Sequence, residues 1–283
     1  MPQTLPKLLI AGCGYVGLAL SRSVSTKGWA VWGLRRTPEA TGLLRAAGAE
    51  PLIADLTKPQ TLRQLPTVDD VVSCQSPGRA GDYGATYLEG AQNLVSALAT
   101  QSPKWLLWIS STGVYGQSHD EWVDEATPPQ PTTERGRMLL AAEALVLAAP
   151  CPSMILRLGG IYGPGRDRLD LLYRGDAAIQ ATGYINQIHV DDVVGIIECL
   201  LERGEPRQIY LGVDDAPALR AEFYPWLAEQ AGIQLPRASQ SRNTRSSGSK
   251  RCLNQRIKAL GYSLKYPDYR TGFAAVLGAT PQL

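Results

Sequence analysis

Lys7-Leu8-Leu9-Ile10-Ala11-Gly12-Cys13-Gly14-Tyr15-Val16-Gly17-Leu18 is the stretch on which the fold turns. A short apolar run stops at Gly-x-Gly-x-x-Gly, and helix-forming sequence follows from Leu18 to Thr26. Strand, glycine turn and helix in that order form the opening unit of a dinucleotide-binding Rossmann domain. Each glycine has its own task there. Gly12 permits the tight turn, Gly14 lets backbone approach a pyrophosphate, and Gly17 lets helix and strand pack closely. Tyr15 and Val16 complete the loop, whose amides at the helix start face the phosphates.

Further β-like runs follow at Ala30 to Leu34, Pro51 to Ala54, Asp70 to Cys74, Lys104 to Ser110, Ser153 to Leu158 and Gln208 to Gly212, with helix-like sequence between them. Several are apolar throughout, as strands covered on both faces are. The reading is an α/β protein with a doubly wound parallel sheet and a smaller C-terminal substrate domain. The expected division is 1–160 with 186–213 for the NADP-binding domain, and 161–185 with 214–283 for the smaller one. The Ser- and Arg-rich segment from Ala238 to Lys250 has no hydrophobic period and is expected to be an exposed loop.

The second strand ends in Arg35-Arg36, where an NAD site usually carries an acid for the ribose hydroxyls. Arginine instead suits a 2′-phosphate through charge-assisted hydrogen bonds, so the expected cofactor is NADP(H) in preference to NAD(H). Asp55 closes the third strand and is placed either to accept from the adenine amino group or simply to form a turn.

Composition narrows the class without naming a partner. With 44% hydrophobic and 19% charged residues and a net charge of +2, the chain reads as an ordinary folded protein, not a nucleic-acid or membrane-surface binder. No basic leader precedes the first apolar run, and no apolar run approaches membrane-spanning length. The five cysteines are widely spaced and suit neither a metal site nor a disulfide framework. These features lead to the expectation of a cytoplasmic protein with a small-molecule substrate, which can be anionic, and with no metal.

Several spaced blocks then match one family together. The glycine motif, Ala54-Asp55-Leu56-Thr57, Ile109-Ser110-Ser111-Thr112-Gly113-Val114-Tyr115-Gly116, Leu156-Arg157-Leu158-Gly159-Gly160-Ile161-Tyr162-Gly163-Pro164-Gly165 and Ile188-His189-Val190-Asp191-Asp192 resemble, in order, the extended short-chain dehydrogenase/reductases, which include nucleotide-sugar epimerases and dehydratases. The tail, with Ser249-Lys250-Arg251, Asn254, Leu260-Gly261 and Tyr266 to Arg270, is similar to an atypical subgroup of epimerase-like proteins. The resemblance implies that Ser111 is the catalytic serine. It also implies a tyrosine and a lysine four residues apart on the next helix, ahead of a run matched here by Leu139-Leu140-Ala141-Ala142-Glu143. Arg135 and Leu139 stand in those places. A guanidinium stays protonated and a leucine has no proton to relay, so the usual Tyr–Lys relay is missing.

Three readings follow: an NADP(H)-dependent epimerase/dehydratase-like oxidoreductase acting on a small or nucleotide-linked carbonyl or hydroxyl compound with a substitute acid, a silent NADP(H)-binding sensor or regulatory protein, or a different reaction in the same cleft. Tyr87 and Tyr115 are the tyrosines weighed as replacements, although an aromatic on a helix ordinarily serves packing. His119 reads as a solvated surface residue, and His189 stands before Asp191 and Asp192, which read as a helix-start cap. Arg157, Arg242, Arg245, Lys250 and Arg251 are weighed as a clamp for an anionic substrate.

Overall fold

The computed structural model describes residues 5–77, 82–174, 182–235 and 248–278. The chain divides into two compact units. Unit 1 comprises Met1–Val114, Thr133–Arg157 and Val194–Tyr210, and unit 2 comprises Tyr115–Thr132, Leu158–Val193 and Leu211–Leu283.

Unit 1 is built on a seven-stranded sheet. Its strands are β1 (Lys7–Ala11), β2 (Ala30–Arg35), β3 (Glu50–Ile53), β4 (Asp70–Ser73), β5 (Trp105–Ser111), β6 (Ser153–Leu158) and β7 (Ile209–Gly212), in the spatial order β7-β6-β5-β4-β1-β2-β3. β6 and β7 run on into unit 2 at their last residues. The pairings among β1 to β5 are parallel. Each of the seven expected runs is a strand of this sheet, within a residue or two at its ends. The central strands have no wet face: Leu8, Leu9, Ile10, Val71, Val72, Leu106 and Leu107 are completely buried. That is why they read as unbroken apolar runs.

The helices used below are α1 (Tyr15–Thr26), α2 (Thr41–Ala46), α3 (Gly90–Leu98), α4 (Glu134–Leu147) and α5 (Val190–Arg203). α1 packs on β1 and β2, and α4 packs on α3 and β5. Thr133 caps α4 by accepting from the Gly136 amide at 3.1 Å. The segment before α3 winds as a π-helical turn, Gly84–Glu89, which packs against α4.

Unit 2 has its own apolar centre, in which Tyr162 stacks on Phe273 with ring centroids 4.1 Å apart, and Phe223, Tyr224, Leu227 and Tyr269 fill the space around them. The expected loop at Ala238 to Lys250 lies outside the described residues as far as 247, and so do Arg242 and Arg245. Its last residue is not loop. Lys250 starts a strand, Lys250–Cys252, that pairs in parallel with Glu121–Val123. A polar residue gains a ladder there that its local sequence does not advertise.

Candidate functional site

The glycine turn can be followed atom by atom. Gly12 sits at φ +77°, and a Cβ built on it would lie 2.6 Å from the Gln75 Cα, so neither its conformation nor its surroundings admit a side chain. A Cβ on Gly17 would come within 2.8 Å of the Ile10 side chain, the close helix–strand packing expected of the third glycine. Gly14 differs, since its built Cβ meets only Arg35 Nη1 at 3.3 Å and the Gly12 carbonyl oxygen at 3.8 Å. It also begins α1 without a side-chain cap, and the first turn, Tyr15 and Val16 included, holds no acid. The amides and dipole of that helix start therefore suit an incoming anion.

Two further groups border the turn. Arg35, at the end of β2, folds back so that Nη1 donates to the Cys13 carbonyl at 3.3 Å, setting a guanidinium over the glycine turn. Arg36 follows it, exposed. Gln75, just past β4, is 7% exposed, and neither its amide nitrogen nor its amide oxygen has a hydrogen-bond partner. Its backbone presses on Gly12, and its amide lies about where a side chain on Gly90 would be. A buried amide left without partners costs free energy, and a bound polar ligand would supply them. The glycine cradle, the cation over it and the unsatisfied amide together fit a dinucleotide.

Asp55 is partly committed. Its Oδ1 accepts from the Thr57 amide at 3.0 Å and the Thr57 hydroxyl at 2.8 Å, which makes it a turn former whatever else it does. Asn93 fixes the same turn by donating to the Leu56 carbonyl at 2.8 Å.

Ser111 ends β5 and accepts from the Gly113 amide at 3.1 Å. The residue before it anchors the strand. Ser110 donates to Glu143 on α4 at 2.5 Å, and Glu143 also accepts from Arg157 on β6 through Nε at 3.1 Å and Nη2 at 2.7 Å. Glu143 is 1% exposed and Arg157 2%. Arg157 is therefore not the substrate clamp considered from sequence, because its guanidinium is engaged with a buried carboxylate.

Arg135 and Leu139 lie on α4, as their spacing requires, but in different surroundings. Leu139 is 1% exposed, while Arg135 is exposed with its guanidinium 4.8 Å from the centroid of the Tyr83 ring. Tyr87 is buried, and Arg135 and Ser76 are the side chains that act on its phenol. Burial raises the phenol above its usual range, and the Arg135 charge opposes part of that rise. Nothing in a periodicity reading links Tyr87 to Arg135, since 47 intervening residues separate them and only the π-helical turn and α4 bring them together.

In unit 2, Tyr115 is 2% exposed and donates to the Asp124 carbonyl at 2.7 Å, tying a turn. His119 is exposed and pairs with Glu121 at 3.5 Å. His189 is 3% exposed, lies against Tyr162 and Tyr266, and accepts from the Asp191 amide at 3.1 Å. Desolvation holds its imidazole below the usual value. Arg251 lies over the Trp122 and Tyr184 rings and donates to the Asp120 carbonyl at 2.9 Å. Among the described residues, no group of three or more His, Cys, Asp or Glu side chains could hold a metal, and no helix is long and apolar enough to cross a membrane.

A seven-stranded parallel sheet with a glycine turn between β1 and α1 defines the nucleotide-binding Rossmann class. Within that class the chain belongs to the NAD dependent epimerase/dehydratase family, whose model matches residues 8–212. It is 33% identical over 274 residues to Protein YeeZ of Escherichia coli strain K12, covering 93% of this chain and 97% of that one. A solved structure described as a putative NAD-dependent epimerase/dehydratase from Methylobacillus flagellatus is 37% identical, with a TM-score of 0.81 and coverage of 98% and 99%. The Bordetella bronchiseptica enzyme WbmG, solved with NAD and UDP, shares the fold at 19% identity, with a TM-score of 0.82 and coverage of 98% and 94%.

Proposed function

We propose that the protein is an NADP(H)-dependent oxidoreductase of the epimerase/dehydratase type. It would act on a small or nucleotide-linked carbonyl or hydroxyl compound without the usual Tyr–Lys relay. The observation that carries the cofactor choice is the Arg35 guanidinium folded over the glycine turn. No acid takes the position at the end of β2 where an NAD site would receive the ribose hydroxyls.

Gly12, Gly14 and Gly17, with Tyr15 and Val16 between them, would hold the pyrophosphate against the start of α1. Arg35 and Arg36 would meet the 2′-phosphate, Asp55 would border the adenine, and Gln75 would turn its unsatisfied amide to the cofactor. When bound, NADP(H) supplies the hydride chemistry, and the protein's part is to orient the partners and exclude water. Ser111 would polarise the reacting oxygen. The fold shared with a UDP-bound relative supports a nucleotide-linked substrate and identifies no sugar.

Calorimetric titration with NADPH and NADH tests this reading. Wild-type protein should prefer NADPH. The double variant Arg35→Ala, Arg36→Ala should lose that preference by about tenfold or more, on the scale of roughly 1.5–3 kcal/mol for a hydrogen bond to a charged group. An unchanged preference would overturn the assignment. Turnover with nucleotide sugars and simple carbonyl compounds separates an enzyme from a silent sensor.

A further inference from the structure

The α4 position that carries Arg135 has no phenol, yet a phenol reaches it from the neighbouring segment. Tyr87 lies in the π-helical turn Gly84–Glu89, whose i→i+5 winding is rare and recurs at functional sites. That turn packs on α4, and so does the short 3₁₀ turn Thr112–Val114 that follows Ser111. Arg135 joins Tyr87 to Tyr83, the residue just before that turn: its guanidinium lies 4.8 Å from the centroid of the Tyr83 ring, and its charge acts on the Tyr87 phenol. The two rings are 5.9 Å apart.

The ring of Tyr87 is buried, but Ser76 and Arg135, the side chains that act on its phenol, are both exposed. Ser76 also fixes where the phenol lies. β4 ends at Ser73, opposite Trp108 on β5, so Ser76 and Ser111 each lie three residues along the chain past that last pair, at the carboxyl-terminal end of the two strands. Ser76 directly follows Gln75, the residue pressed on Gly12. The Tyr87 hydroxyl thus belongs to the same carboxyl-terminal sheet edge as the glycine turn and Ser111, where open α/β sheets bind their ligands.

We propose that Tyr87 is the proton donor of this site and that Arg135 is the cation that positions it and stabilises its phenolate. The proposal rests on the oxidoreductase reading above. In the reductive direction, where bound NADPH would supply the hydride to the carbonyl carbon, the Tyr87 Oη–H bond would break as its proton passes to the carbonyl oxygen. The resulting phenolate is paired with Arg135 and takes a proton back from water. Burial keeps the phenol protonated at neutral pH, the form a donor requires.

Tyrosine labelled with ¹³C at Cζ gives a readout independent of turnover, with the Tyr87 signal identified by its loss in Tyr87→Phe. Two results are expected. NADP⁺ shifts that signal in wild-type protein, and Arg135→Met raises its titration midpoint by about one pH unit or more, a tenfold gain in proton affinity. A Tyr87 signal indifferent to NADP⁺ makes it a packing residue and overturns the proposal. A midpoint unmoved by Arg135→Met overturns the role given to Arg135. Wild-type protein that fails to bind NADP⁺ in calorimetry instead overturns the oxidoreductase reading itself, and this inference with it. For any nucleotide sugar or aldehyde that wild-type protein reduces, Tyr87→Phe should lower kcat by about 100-fold or more, with NADPH affinity held within about threefold. Undiminished kcat in Tyr87→Phe sinks the proposal. Arg135→Lys, which keeps a cation, should retain more activity than Arg135→Met.

Discussion

Gly12 and Gly14 are two residues apart in one motif, and the structure separates their reasons for being glycine. Gly12 needs a positive φ and has the Gln75 backbone where a side chain would begin, so it is fixed by the fold. Gly14 has a negative φ of −93°, and a Cβ built on it meets only the end of the flexible Arg35 side chain at 3.3 Å and the Gly12 carbonyl oxygen at 3.8 Å, so what approaches from outside bears on it more than the fold does. Opposite outcomes are expected from substitution. Gly12→Ala should lower stability by about 2 kcal/mol or more, read by urea denaturation, because strain and backbone collision add. Gly14→Val should lose less stability than Gly12→Ala, remain folded, and lose NADPH binding in calorimetry. A folded Gly14→Val protein with normal affinity would place the phosphate site elsewhere.

At the scale of elements, β5, α4 and β6 are joined by one buried carboxylate. Glu143 accepts from Ser110 and Arg157, so the strand carrying Ser111 and the helix carrying Arg135 keep a fixed relation. Removing one member leaves a charge buried without its partner, which typically costs 3–5 kcal/mol. Glu143→Leu should therefore lower the thermal midpoint much more than Glu143→Leu combined with Arg157→Met, measured by calorimetry. Equal losses would mean that the network contributes only packing.

The strands were legible in the sequence because burial on both faces leaves an unbroken apolar signature, and the glycine turn because its spacing is set by covalent geometry. The carboxylate network was not, since a lone Glu on a helix and a lone Arg on a strand each look exposed until the fold buries both. Asp192 was read as part of a helix cap. It is buried and accepts from the Tyr262 hydroxyl and the Lys265 and Tyr266 amides, bonds to a tail some 70 residues away that local pattern cannot reveal. The pairing of Tyr87 with Arg135 was hidden for the same reason, and so was the π-helical winding, for which spacing gives no signal.

Across the whole molecule, acid-side stability depends on carboxyls that prefer to be neutral. Burial pushes Asp70, at the start of β4, up to about 6, with Lys104 opposing and Asp69 adding to the rise. Asp214 in unit 2 is raised well above the ordinary carboxylate range, again chiefly by desolvation. The folded protein thus holds protons that the unfolded chain releases near pH 4. Between about pH 4 and 6 these two groups make stability fall as pH rises. Asp70→Asn should remove its share, on the order of 2–3 kcal/mol, and flatten that part of the profile in denaturant titrations at pH 4.5, 5.5 and 6.5. A slope unchanged by the substitution would show that Asp70 stays hydrated.

The order in which the sheet is assembled has a consequence during synthesis. β5 takes its place between β4 and β6, yet β6 is complete only at Leu158, well after Ser111 has been synthesised. At about 5–20 residues per second, the β5 edge waits roughly 2–9 s for its partner strand, presenting an apolar strand with unpaired backbone amides. The nascent chain is therefore most exposed to aggregation, and most in need of a chaperone, while its middle third is being translated.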